Sequence, residues 1–149
     1  MRELVFALQF TGTAAPVEGA ANRLRARTSA GDQTLRTALK ADGVQAAIEG
    51  SGAGTATFES EVEIVGEGAF VESGSIAYGS AGKITFKTVG RGTLDASPTP
   101  DVQRGAVIWE VTGGDGRFRA AQGLITSNFT VDAKGGVVDD QFVRLYLPS

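Results

Sequence analysis

The chemistry open to this chain is bounded first by two absences. Among its 149 residues there is neither a histidine nor a cysteine. That removes the thiol nucleophile, the disulfide, the common zinc sites and every acid–base device built on imidazole. Proton transfer and charge stabilisation fall to carboxylates, tyrosine, arginine, lysine, hydroxyls and backbone amides. In the C-terminal segment Phe142, Arg144 and Tyr146 alternate with Val143, Leu145 and Leu147. With the first set turned inward, Arg144 and Tyr146 would bind a ligand carboxylate or stabilise a developing oxyanion. With the second set inward, Arg144 is a solvated surface residue. Tyr78 falls on the apolar parity of its own segment, so Tyr78, Arg144 and Tyr146 are the candidate catalytic residues.

The other charged constellations read as surface. Glu59, Glu61 and Glu63 share one face at strand spacing, and Lys83, Thr85 and Lys87 form the polar face of another segment. Cross-strand pairing of unlike charges accounts for both rows better than a metal or acid–base cluster, because ionised carboxylates are rarely buried without partners. Glu110 lies opposite in parity to Trp109 and so points outward. Asp139-Asp140 could bind a cation, but two adjacent acids at a turn make a weak case. Gly113 to Gly116 leads into a strand and lacks the lysine of a phosphate loop, so it reads as a turn. No metal site is expected.

The elements that must position these groups are strands. Hydrophobic content of 42%, mean hydropathy near zero, 21 Gly and 4 Pro suit one globular domain of short strands and turns. Period-two alternation recurs at Leu4 to Phe10, Thr57 to Val65, Ser75 to Tyr78, Lys83 to Val89, Ala106 to Thr112, Leu124 to Val131 and Val137 to Leu147. Asp42-Gly43 joins Thr34–Lys40 to Val44–Glu49 as a tight hairpin. No helical stripe holds. The stretch from Thr11 to Gly31 reads as loop and edge strand, and Thr93 to Arg104 as a loop. Gly68-Ala-Phe70 and Gly116-Arg-Phe118, each followed by a glycine and an isoleucine, suggest a repeated hairpin unit. About eight to ten strands point to an antiparallel barrel or sandwich in a single domain spanning 1–149.

The formal net charge is −3 and the 14 Lys and Arg are scattered, which argues against a nucleic-acid partner. No apolar run reaches the length of a membrane helix, and the N-terminus alternates rather than forming a signal core. The expectation is a soluble cytoplasmic protein with no membrane partner.

The segment Val111-Thr-Gly-Gly-Asp-Gly-Arg-Phe-Arg-Ala-Ala-Gln-Gly-Leu-Ile125 resembles the Gly-Gly-x-Gly-x-Phe-x-x-Ala-x-Gly signature of the allene oxide cyclase-like and dirigent-like β-barrels. Bacterial spirotetronate-cyclase-like barrels are similar at the level of the fold. The match is densest over Gly105 to Val131. The resemblance implies an all-β, eight-stranded antiparallel barrel with an apolar cavity, assembled as a homo-oligomer (dimer or trimer). It also implies shape control of a reactive hydrophobic small molecule without a cofactor.

In a barrel alternate residues point inward. Parity then puts Phe6, Leu8, Phe58, Ser60, Val62, Ile76, Tyr78, Ile84, Phe86, Thr88, Val107, Trp109, Ile125, Ser127 and Phe129 inside. Phe86, Trp109, Ser127 and Phe129 are the candidate ligand-binding residues, with a void expected beside Trp109 and Phe129. A filled core with satisfied hydroxyls is the competing arrangement. Two functions fit a cavity: a cofactor-independent isomerase or cyclase, or a non-catalytic carrier of a lipophilic metabolite. A packed interior would instead mark a structural or oligomerisation domain. This interior offers no paired acid and base, so proton shuttling is not expected. A buried Glu of raised pKa would reverse that.

Overall fold

In the computed structural model the backbone is described for residues 1–149, and side chains for all but 51–54. The described residues form nine strands: β1 (Arg2–Pro16), β2 (Arg23–Lys40), β3 (Gly43–Gly66), β4 (Ala69–Tyr78), β5 (Lys83–Thr88), β6 (Gly92–Ala96), β7 (Val102–Gly114), β8 (Gln122–Asp132) and β9 (Gly136–Leu147). A single 3-10 turn over Gly116–Phe118 precedes β8. Eight strands close a ring in the order β1-β2-β3-β4-β5-β7-β8-β9, with β9 paired back to β1. Every pairing is antiparallel, and the short β6 bridges β4 and β7 beyond the end of β5. Among the described residues no helix is long and apolar enough to cross a membrane.

The alternation read from the sequence sets which side chains fill the ring. Phe10, Ile76, Ile84, Phe86, Trp109, Ile125, Val143 and Leu145 are almost wholly buried, and all fifteen residues that parity turns inward lie on the inner face of their strands. Phe86 packs against both Phe58 and Trp109, with ring centroids 5.4 and 4.6 Å away. The aliphatic set of β9 is inside: Val143 and Leu145 are fully buried, while Arg144 lies outside and pairs with Glu3 at 2.6 Å.

Three expectations change. The segment from Thr11 to Gly31 is mostly strand, completing β1 and opening β2. Its small residues hid the alternation, because Gly12, Ala14, Ala26 and Ala30 are inward-facing yet weakly hydrophobic. A Cβ on Gly12 would meet the Thr28 Cα at 2.7 Å, so only glycine allows this approach of β1 to β2. Thr93 to Arg104 is not all loop, since it contains most of β6. The glutamate row of β3 pairs with Arg23, Arg25 and Arg27 of β2 at 3.2 to 3.8 Å, and not with the lysines of β5. That strand is separated from β3 by β4, and Lys87 lies opposite Glu110 of β7.

The Asp42-Gly43 hairpin forms, and with it a projecting arm. Past a register shift at Ala30–Gln33, β2 and β3 pair only with each other, from Gln33↔Gly50 to Lys40↔Gly43. The Gln33 amide ties the arm's root to β1, accepting from the Gln9 N–H at 2.7 Å and donating to the Gln9 carbonyl at 3.1 Å. Leu39 and Val44, opposite one another near the tip, are exposed.

Because Phe86 is wedged between two other rings in the filled part of the core, Phe86→Ala should lower stability by about 3–5 kcal/mol. Chemical denaturation at fixed pH checks this, and Phe86→Leu should recover most of the loss.

Candidate functional site

Beside the packed aromatics the ring leaves a cavity of about 440 Å³. Its large walls are Phe58, Phe70, Trp109 and Phe129, and the opposite wall is built from Ala14, Ala26 and Thr28 of β1 and β2. The small side chains on that wall leave the space in front of the aromatic rings unfilled. The cavity reaches the β8–β9 turn at Ala133–Gly135.

Two carboxylates line this apolar space. Glu72 of β4 and Asp139 of β9 are 8% and 5% exposed. Glu72 Oε2 accepts from the Ser60 hydroxyl at 2.5 Å and Oε1 from the Trp109 indole N–H at 3.2 Å. Asp139 Oδ1 accepts from the Ser127 hydroxyl at 2.5 Å and Oδ2 from the Gln141 amide at 2.8 Å. The two are built alike. In each, a serine on one strand of a hairpin reaches diagonally to an acid on the other, twelve residues later.

The backbone at Glu72 is held in an unusual way. β4 pairs with β5 through Ser73 and with β6 through Phe70, leaving Glu72 between them. The Thr88 hydroxyl fills the gap, accepting from the Glu72 N–H at 2.7 Å and donating to its carbonyl at 2.9 Å. A side chain therefore does for Glu72 what the ladder does for its neighbours.

Burial disfavours the charged form of both acids and outweighs the hydrogen bonds that favour it. Desolvation raises Glu72 from 4.5 to about 7 against the opposing hydrogen bonds from Ser60 and Trp109, with the charge of Asp139 adding to the rise. Asp139 is raised from 3.8 to about 6, mainly by desolvation, against bonds from Ser127 and Gln141. Both acids thus hold their protons into the range near neutral pH, and a pair of such carboxyl groups can give one proton and take another.

Of the candidate ligand-binding residues, Trp109, Ser127 and Phe129 line the cavity, whereas Phe86 is packed behind Trp109. The candidate catalytic residues are placed elsewhere. Tyr78 is half-buried against Phe6 and Phe118, outside the lining, and desolvation raises its pKa. Arg144 and Tyr146 lie on the outer face of β9, because Val143, Leu145 and Leu147 claim the interior. Asp139 and Asp140 part company: the first faces the cavity and the second is exposed. Among the described residues no cluster of acids could hold a metal ion.

The expectation of an interior without acid–base groups is overturned by Glu72 and Asp139. Glu72 shares the parity of Phe70, Ile76 and Tyr78, so starting that strand at Ala69 instead of Ser75 would have exposed it. Asp139 shares the parity of Val137 and Val143, and the repeated serine–acid spacing was a second signal.

No family model matches the chain, and no curated protein matches its sequence. Solved structures do match its fold. The pterocarpan synthase dirigent protein PsPTS1 has a TM-score of 0.59 at 12% identity, covering 99% of this chain and 97% of that one. The pterocarpan synthase dirigent protein GePTS1 has a TM-score of 0.58 at 15% identity, covering 99% and 92%. The fold is a dirigent-like barrel.

The raised acids predict a stability that falls with pH. Native Glu72 binds its proton more tightly than the unfolded chain does, so the benefit is complete below pH 4.5 and lost as pH rises through about 7. The shift corresponds to about 3 kcal/mol. Denaturant titrations from pH 4 to 8 should show a fall to which both acids contribute. Glu72→Gln should remove roughly half of it and leave the share due to Asp139, and an unchanged slope in the variant would refute the assignment.

Proposed function

We propose that the protein is a cofactor-independent isomerase or cyclase for a hydrophobic small molecule. Aromatic walls hold a reactive conformer while Glu72 donates a proton and Asp139 accepts one. The observation that carries this reading is the pair of buried carboxylates on one apolar cavity. Net proton count is conserved: Glu72 protonates a ligand oxygen or leaving group, Asp139 removes a proton elsewhere on the ligand, and both reset by exchange with water. Water-poor walls strengthen each electrostatic contact, and fixed geometry supplies the rest of the barrier lowering. The names of the structural neighbours as pterocarpan synthases support small-molecule chemistry in such a barrel. Holding a lipophilic metabolite without turnover uses the same walls but gives the acids no task.

Native mass spectrometry of freshly purified protein should reveal a retained small molecule. Incubated with the protein in deuterated water, that molecule should exchange or convert. Glu72→Gln and Asp139→Asn should each slow this by 100-fold or more, the scale of general acid–base catalysis. Retention with no exchange in any variant would identify a carrier.

We also propose that the chain assembles with copies of itself. One face of the arm carries Leu35 opposite Ile48 and Leu39 opposite Val44, all exposed and without partners in the monomer. Leu35 also shares an outer groove with Ile108 and Phe142 of the barrel wall. A two-stranded ribbon is marginal in water on its own, and burying this face would stabilise it. Light scattering should give a multiple of 15.4 kDa, and Leu39→Glu with Val44→Glu should reduce it to the monomer.

A further inference from the structure

Going round the ring from β2, every second strand is β4, β7 and β9. Each of these contributes a polar group to the cavity wall: Glu72, the Trp109 indole and Asp139. In barrels, side chains from alternate strands form a common layer. The polar residue that β2 adds to this wall, across the ring from the strand of Trp109 and two strands from that of either acid, is Thr28.

Thr28 is 7% exposed, and its hydroxyl has no hydrogen-bond partner. The other hydroxyl on the cavity wall, Ser127, is committed to Asp139. The hydroxyls of Ser60 and Thr88 are likewise engaged at Glu72. Thr28 sits among Ala26, Ala30 and Gly12, where an alanine or valine would serve packing equally well. A buried hydroxyl left without a partner is a net cost to the fold, and Thr28 belongs to the cavity wall, where a ligand oxygen would supply that partner.

We infer that Thr28 is a positioning residue. Its hydroxyl binds a hydroxyl or carbonyl oxygen of the ligand and so sets which end of an otherwise apolar molecule meets Glu72 and Asp139. The inference rests on the cavity proposed above as the ligand site, and it adds the requirement that the ligand carry an oxygen on the β2 side.

Two probes of nearly the same shape, 2-naphthol and 2-methylnaphthalene, test it by NMR titration of the whole protein. The native protein should prefer the naphthol. Thr28→Val, equal in size, should weaken naphthol binding about fivefold or more, leave the hydrocarbon unaffected and not lower the melting temperature. Thr28→Ser should restore the preference. If both probes bind and the valine variant keeps the native preference, Thr28 has no such role while the cavity reading stands. A valine variant that melts well below the native protein would show a structural hydroxyl and overturn the inference. If neither probe enters the native protein, the cavity reading fails and this inference with it.

Discussion

Closing eight antiparallel strands into a ring forces every second residue of every strand into one shared interior, whatever its chemistry. Most such positions here are aromatic or aliphatic, and they pack. The two that are carboxylates must be desolvated together with everything around them, and the surroundings of both are organised to meet that demand. Serines answer each acid diagonally across a hairpin, Trp109 and Gln141 supply the second donors, and Thr88 holds the backbone of Glu72 where the sheet changes partner. Remove the burial and the acids become ordinary surface groups.

The cavity follows from the same closure. Phe58, Phe70, Trp109 and Phe129 face a stretch of β1 and β2 where Ala14, Ala26 and Thr28 line the wall. Filling the ring evenly would have removed the void and left both acids out of reach of any ligand. A polar pair in an apolar chamber, with both proton affinities pushed upward by burial, is better suited to chemistry than to stability. The absence of histidine acquires a clearer meaning in this light: desolvation brings carboxyl groups into the range where imidazole ordinarily works.

Much of the barrel was legible in the alternation. The interior parity of Phe58, Ile76, Ile84, Trp109 and Ile125 needed only the period-two pattern, and the Asp42-Gly43 hairpin only its turn residues. The site was less legible because its residues break the hydrophobic rule that parity is read from. Glu72 and Asp139 looked like surface residues by type. Phe142, Arg144 and Tyr146 offered an aromatic face as plausible as the aliphatic one until β1 and β8 were in place beside β9.

Local conformational preference and residue type are enough to specify an all-β chain, its turns, most of its inward faces and the exclusion of thiol and imidazole chemistry. Strand assembly settles which polar residues share the interior, that the glutamates of β3 answer to arginines of β2, and that Arg144 faces water. Those outcomes depend on which strands become neighbours and on how much water closure removes, and neither is encoded in the spacing of residues along a single strand.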